Sequence, residues 1–338
     1  MRNHQLSSFW RATALLPPLW LQACSGDDAT IPAPAEPAPP FKSLAAAANA
    51  PESFTEPRAG VPLQAEAVAF IALDESMSDA DMAESGPRAA VFLQDSAGVA
   101  PRALFSDEAL VSPLDIEASR DGETLFVADY AGGSEGTGAI WSVPVAGGEA
   151  SAAAEGWSPR SVTLGADDRL YFSGIDPELG EPGVFRLSAG SVEPVFVGAP
   201  LVDPSGIAVF ADGRVLVADT RLFDGQAGED AVGSEAGVVM IEDGRAEIFA
   251  TGFATGFPAG IALTVDESTL IISGQGPDRS DTVYLFGTGD PSAPPLVVTD
   301  VFSAWQDSSG GLKRAHDSNT FIWASLAANG GTVFRIEG

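Results

Sequence analysis

The chain has 338 residues, with 47 acidic against 17 basic side chains and a formal net charge of −30. A surface this acidic repels phosphate backbones, which excludes nucleic acid as a partner. One cysteine and two histidines, His4 and His316, exclude an intramolecular disulfide, a thiolate metal cluster and any mechanism that needs several imidazoles.

At the amino terminus, residues 1–23 carry Arg2 and Arg11 and no acid. The apolar stretch Ala12 to Trp20 is shorter than the ~20 residues a membrane-spanning helix needs, so the segment reads as a secretory signal. It ends in Leu21-Gln22-Ala23-Cys24, followed by Ser25-Gly26-Asp27-Asp28, and this resembles a bacterial lipobox. Pro17-Pro18 in the apolar region and the bulk of Gln22 depart from that pattern. The resemblance implies a lipid on Cys24 and a place in the cell envelope. Ser25 rather than Asp after the cysteine leans towards the outer membrane. Loss of residues 1–23 leaves 15 cations against 47 acids, a net charge of −32.

Residues 24–62 are expected to be a disordered tether. Ile31-Pro-Ala-Pro-Ala-Glu-Pro-Ala-Pro-Pro40 is stiff and extended, because proline fixes φ and lacks an amide donor. The alanine-rich stretch Ser43 to Ala50 predicts at most a brief helix.

From residue 63 onward the chain repeats. Pro204-Ser-Gly-Ile-Ala-Val-Phe-Ala-Asp-Gly-Arg-Val-Leu-Val-Ala-Asp-Thr220 aligns with Pro258-Ala-Gly-Ile-Ala-Leu-Thr-Val-Asp-Glu-Ser-Thr-Leu-Ile-Ile-Ser-Gly274. Weaker copies begin at Pro113, Pro159 and Ser309. The four prolines are 46, 45 and 54 residues apart, a period that marks a propeller or an array. Each unit holds a short β run, an Asp-Gly or Asp-Glu-Ser turn, a strong β run such as Val215–Ala218, a Gly-rich loop, and two further runs. Glycine suits the positive φ of such turns. Val68–Leu73, Ala89–Leu93 and Arg102–Phe105 supply the second, third and fourth runs of one more unit, which makes six. The pattern predicts an all-β, six-bladed β-propeller of four-stranded antiparallel blades over residues 63–338. One terminus is expected to complete the last blade, Val333–Ile336 or the segment before Glu66 providing the join.

The units resemble the NHL and gluconolactonase/senescence-marker-protein superfamily of six-bladed propellers, chiefly in Pro204–Thr220 and Pro258–Gly274. For the lactonase branch the resemblance implies one divalent cation, Ca²⁺ or Zn²⁺, held in the channel by a glutamate, two asparagines and an aspartate. One of those asparagines belongs to a Pro-Asn-Gly-Ile motif. Here Ser205 and Ala259 stand at that position, and after residue 50 only Asn319 and Asn329 remain as asparagines. Neither a lone hydroxyl nor a methyl replaces a strong oxygen ligand for a hard cation, so the ligand set does not carry over. Quinone-dependent sugar dehydrogenases share the architecture but need a histidine base and more channel cations than this sequence offers.

Asp129 and Asp219 end equivalent β runs and are read first as turn residues that bond loop amides. His316, between Arg314-Ala315 and Asp317, is read first as a structural or surface histidine, since neighbours on a strand face opposite ways. The acidic stretches Asp74–Glu84 and Asp219–Asp230 have the composition of Ca²⁺ loops, and also that of a solvated acidic face. Trp141, Phe185, Tyr284 and Phe334 recur at the third run and are expected to pack between blades. The candidate ligand contacts are Asp129, Arg160, Ser205, Asp219 and His316. Ca²⁺ or another divalent cation is the candidate cofactor. The expected partners are the membrane, through the lipid on Cys24, and an envelope protein or small molecule; a monomer is expected. The first functional expectation is a ligand- or protein-binding module, and its rival is a metal-dependent lactonase or esterase with a rearranged channel.

Overall fold

In the computed structural model, residues 43–48, 54–64, 66–75, 88–222, 236–255, 259–276, 280–299, 301, 306–327 and 331–338 are described. Twenty-four strands form six four-stranded antiparallel sheets, and no helix occurs among the described residues. The first strands of successive sheets touch one another in a closed ring, so the sheets are the blades of a six-bladed β-propeller around a central channel.

Blade 1 is built from Phe54–Pro62, Val68–Asp74, Arg88–Gln94 and Arg102–Phe105. Blades 2, 3 and 4 begin at the first strands Pro113–Ala118, Ser161–Leu164 and Pro204–Val209, and blade 5 begins at Ile261–Leu263. Blade 6 contains Gln306–Arg314, Thr320–Ala327 and Thr332–Glu337. Its fourth, outermost strand is Ser43–Ala48, paired antiparallel to Thr332–Glu337 in the register Leu44↔Ile336 and Ala46↔Phe334.

Two expectations are thereby corrected. The tether does not extend to residue 62, because Ser43–Ala48 and Phe54–Pro62 are strands, and the alanine-rich stretch is not helical. Outer strands need little apolar surface, and a neighbouring ladder overrides weak local propensity. The outermost strand of blade 2, Ser151-Ala-Ala-Ala-Glu155, is just as alanine-rich. The leader, Cys24 and the proline-rich stretch lie outside the described residues.

Six buried apolar clusters hold the ring together, one at each blade junction. Trp141 packs between blades 1 and 2, Phe185 between 2 and 3, and Tyr284 between 4 and 5. The join between blades 6 and 1 contains Ala48 and Val333 beside Phe54, Phe70 and Phe92, with Phe70 stacked on Phe92 at 5.4 Å. The closing strand is therefore fastened by backbone pairing and by core contact.

The first strands all run the same way, which gives the ring two different faces. Where they end, each blade turns into its second strand through a connection of five residues: 63–67, 119–123, 165–169, 210–214, 264–268 and 315–319. This is the hairpin face. The opposite, loop face carries the connections from second to third strands, which range from four to sixteen residues.

Candidate functional site

The loop face is positioned by two buried carboxylates. Asp129 ends the second strand of blade 2 with no exposure, and its oxygens accept the amides of Val111, Ser112, Ala131 and Gly132 and the indole N–H of Trp141. Asp219 occupies the same place in blade 4 and accepts the amides of Val202, Asp203 and Arg221. Burial pushes the Asp219 carboxyl above its ordinary value, opposed by those amides and by the charges of Arg160 and Arg221. Gly174 and Gly274 stand in the equivalent places of blades 3 and 5. There a Cβ would run into the Trp157 and Ala254 carbonyls.

Between these two anchored loops lies a cavity of about 360 Å³ lined by Ser112, Leu114, Tyr130, Arg160, Asp203 and Arg221. Arg160 is ion-paired with Asp203, and its guanidinium lies 5.3 Å from the centre of the Tyr130 ring. Asp203 also accepts the Thr220 hydroxyl at 2.9 Å. Burial lowers the Arg160 pKa from its ordinary value. Tyr130 and Asp219 oppose that effect, and Arg221 adds to it by like-charge repulsion.

The channel contains a different arrangement. Lys313, on the first strand of blade 6, sends its ammonium to Asp115 Oδ2 on blade 2 at 2.8 Å and donates to the Val162 carbonyl on blade 3. Both charged side chains are nearly inaccessible. Asp115 also accepts the Ser161 hydroxyl and the Val162 amide. Glu117, one turn of the pleat further on, accepts the Thr163 hydroxyl and the Ala118 amide. One ammonium thus joins three blades across the axis.

The hairpin face opens into a larger cavity, about 560 Å³, lined by the first turns of blades 6, 1 and 2. His316 is there, its Nε2–H donating to the Ala118 carbonyl at 2.9 Å. Arg314 beneath it donates to the carbonyls of Ala315, His316 and Ser318, which holds that turn in shape.

The five candidates therefore separate. Asp129 and Asp219 have the turn role read from the sequence. Ser205 is buried, and its Oγ accepts the Ala259 amide at 2.9 Å, which ties blade 4 to blade 5. His316 lies on the opposite face from the other four. Only Arg160 lines a loop-face cavity, and Tyr130, Asp203 and Arg221 join it there. A repeated tetrapeptide, Leu110-Val-Ser-Pro113 and Leu201-Val-Asp-Pro204, was the available signal for Asp203 and Ser112, while Tyr130 and Arg221 lie just past the recurring Asp129 and Asp219. Asp115 and Lys313 stand in weaker copies of Pro-x-Gly-Ile-Ala, at its Gly and its last Ala position, and nothing local pairs the one with the other. Most of Asp74–Glu84 and of Asp219–Asp230 lies outside the described residues.

The described channel residues do not fit the divalent cation that the resemblance implies. Ser205 is bonded to an amide, and Asn319 Oδ1 accepts the Val265 amide on the hairpin face. Asp115 faces an ammonium. Among the described residues, no three His, Cys, Asp or Glu side chains converge.

No family profile and no curated protein matches the sequence. Solved structures do match in shape. A protein of unknown function from Bacteroides thetaiotaomicron is 14% identical with a TM-score of 0.57, over 87% of this chain and 72% of that one. A gluconolactonase from Xanthomonas campestris is 15% identical with a TM-score of 0.56, over 87% of this chain and 89% of that one. TolB from Acinetobacter baumannii is 15% identical with a TM-score of 0.46, and the match takes in 73% of this chain but only about half (56%) of that one. The first two likenesses, at such low identity, establish architecture: the chain is a six-bladed β-propeller of the shape that the Xanthomonas gluconolactonase also has.

Proposed function

We propose that this chain is a lipid-anchored, extracytoplasmic recognition module that binds a small molecule or an envelope protein through its loop face. One observation carries the reading: Lys313 lies across the channel and is paired with Asp115 at 2.8 Å. A cationic side chain in that place repels a divalent metal and engages the carboxylate that would hold one. Propeller loops arranged round one rim, by contrast, suit recognition. The lipid on Cys24 would fix the domain to a membrane surface.

The test is a melting series of the purified protein with Ca²⁺, Zn²⁺ or a chelator, alongside assays for hydrolysis of lactones and simple esters. The expected result is a constant midpoint and no turnover. A cation that raises the midpoint, together with lactone hydrolysis, overturns the reading in favour of a metal-dependent hydrolase, because ligands of the native state stabilise it. The anchor has a separate test: labelled palmitate should enter the wild-type protein and not Cys24→Ser.

A further inference from the structure

Two guanidiniums and one carboxylate line the loop-face cavity, in a chain whose acids outnumber its bases almost three to one. Arg160 and Arg221 line the same cavity. Asp203 faces Arg160 but shares its oxygens with the Thr220 hydroxyl, and Asp219 below is turned to three amides. Cations held this way around a concave, partly dry space form a receptor for a planar or tetrahedral oxyanion. Guanidinium N–H groups match such an anion in pairs, and a low local dielectric strengthens the contact.

The walls are rigid. Leu110 and Leu201 are each 4% exposed, so each anchors its loop in a blade junction. The next residues, Val111 and Val202, have their amides on Asp129 and Asp219 and their side chains 57% and 45% exposed. Tyr130, 39% exposed, lies against Arg160. Leu114 and the Tyr130 ring line the cavity beside half-buried Ser112, Arg160 and Asp203, a composition in which apolar contact supplies affinity and a few charges fix orientation.

From this we infer that the cavity among Ser112, Tyr130, Arg160, Asp203 and Arg221 binds a small ligand through a carboxylate or phosphate group, which Arg160 and Arg221 grip together. The Asp203 carboxylate holds Arg160 in place until the anion arrives and then shares it. Ser112 lines the same wall. This inference rests on the binding reading above and names the chemistry of its ligand.

The experiment is calorimetric titration of the purified full chain with two probes at constant ionic strength: inorganic phosphate and benzoate. Saturable binding of either one is expected, and which one binds identifies the oxyanion. Arg160→Gln and Arg221→Gln should each weaken it at least tenfold, while Arg186→Gln, on a blade 3 strand and paired with Glu193, should change it less than twofold. Arg221 is exposed, so its variant retains the fold even where Arg160→Gln does not. Failure of both probes to bind, or binding that survives Arg221→Gln undiminished, overturns the inference. Neither outcome touches the channel reading, which the cation series tests separately.

Discussion

The two faces of the propeller are made from the same repeat and differ in how tightly the repeat is kept. On the hairpin face all six first turns have five residues, and four share one construction. Asp121, Asp167, Asp212 and Asp266 at the third position accept the amide two residues on. The next residue has positive φ: Gly122 at 73°, Asp168 at 58°, Gly213 at 94° and Glu267 at 57°. Side chains then stitch neighbouring turns, as Arg120 does with Asp168 and Asn319 with Val265. On the loop face the connections differ from blade to blade, and buried carboxylates in two blades hold what the hairpin face holds with turn chemistry. A fixed face and a variable face on one ring teach where specificity has room to arise: the turns are set by local chemistry that every blade needs, and the loops are free to differ.

Substitutions should break this contrast unequally. The largest effect is expected at Asp129. Replacement by Ala leaves four backbone amides, one of them fully buried, and the Trp141 indole without their acceptor. It should destabilise the fold by about 3 kcal/mol, read by urea unfolding. Asp266→Ala on the hairpin face, where the carboxylate is exposed, should shift the same midpoint far less. Equal effects would show that the two faces are held alike. Next comes Gly213→Ala, which forces a Cβ into left-handed backbone and should cost about 1 kcal/mol.

The smallest effect is a pH dependence at Asp212. Burial alone would raise its pKa, but the Arg214 amide and guanidinium outweigh it and hold the carboxyl below its ordinary value. A carboxylate depressed in the folded state adds stability that is present above the unfolded pKa and is lost as pH falls through the folded one. Wild type should therefore exceed Asp212→Asn in stability at neutral pH, with the gap closing below the ordinary carboxylate range. A gap that widens in acid would contradict the assignment.

The blades were legible because their signals are local. Pro-x-Gly-Ile-Ala, the Asp-Gly turns and runs such as Val215–Ala218 each state a strand or a turn within a few residues. The closing strand Ser43–Ala48 was not, since its strand character comes from a partner almost 290 residues away in sequence, at Thr332–Glu337. The site divided in the same way. Asp129 and Asp219 could be read from recurrence at one place in the repeat, and Arg160 from its position in the third copy. The Lys313–Asp115 pair joins side chains from blades 6 and 2, and neither residue stands in a motif that announces the other. Only the closure of the ring brings them together.

That pair is also where the account is most exposed. Breaking a buried ion pair from one side leaves the other charge without compensation, at about 3–5 kcal/mol. The most direct measurement is a double-mutant cycle with Lys313→Met, Asp115→Asn and both together, followed by urea unfolding. The predicted result is a large loss for Lys313→Met, much of it recovered when Asp115→Asn is added, and no gain of Ca²⁺ or Zn²⁺ stabilisation in the wild-type protein. Additive effects of the two substitutions, with a cation stabilising the wild type, would contradict the claim that an ammonium closes this channel.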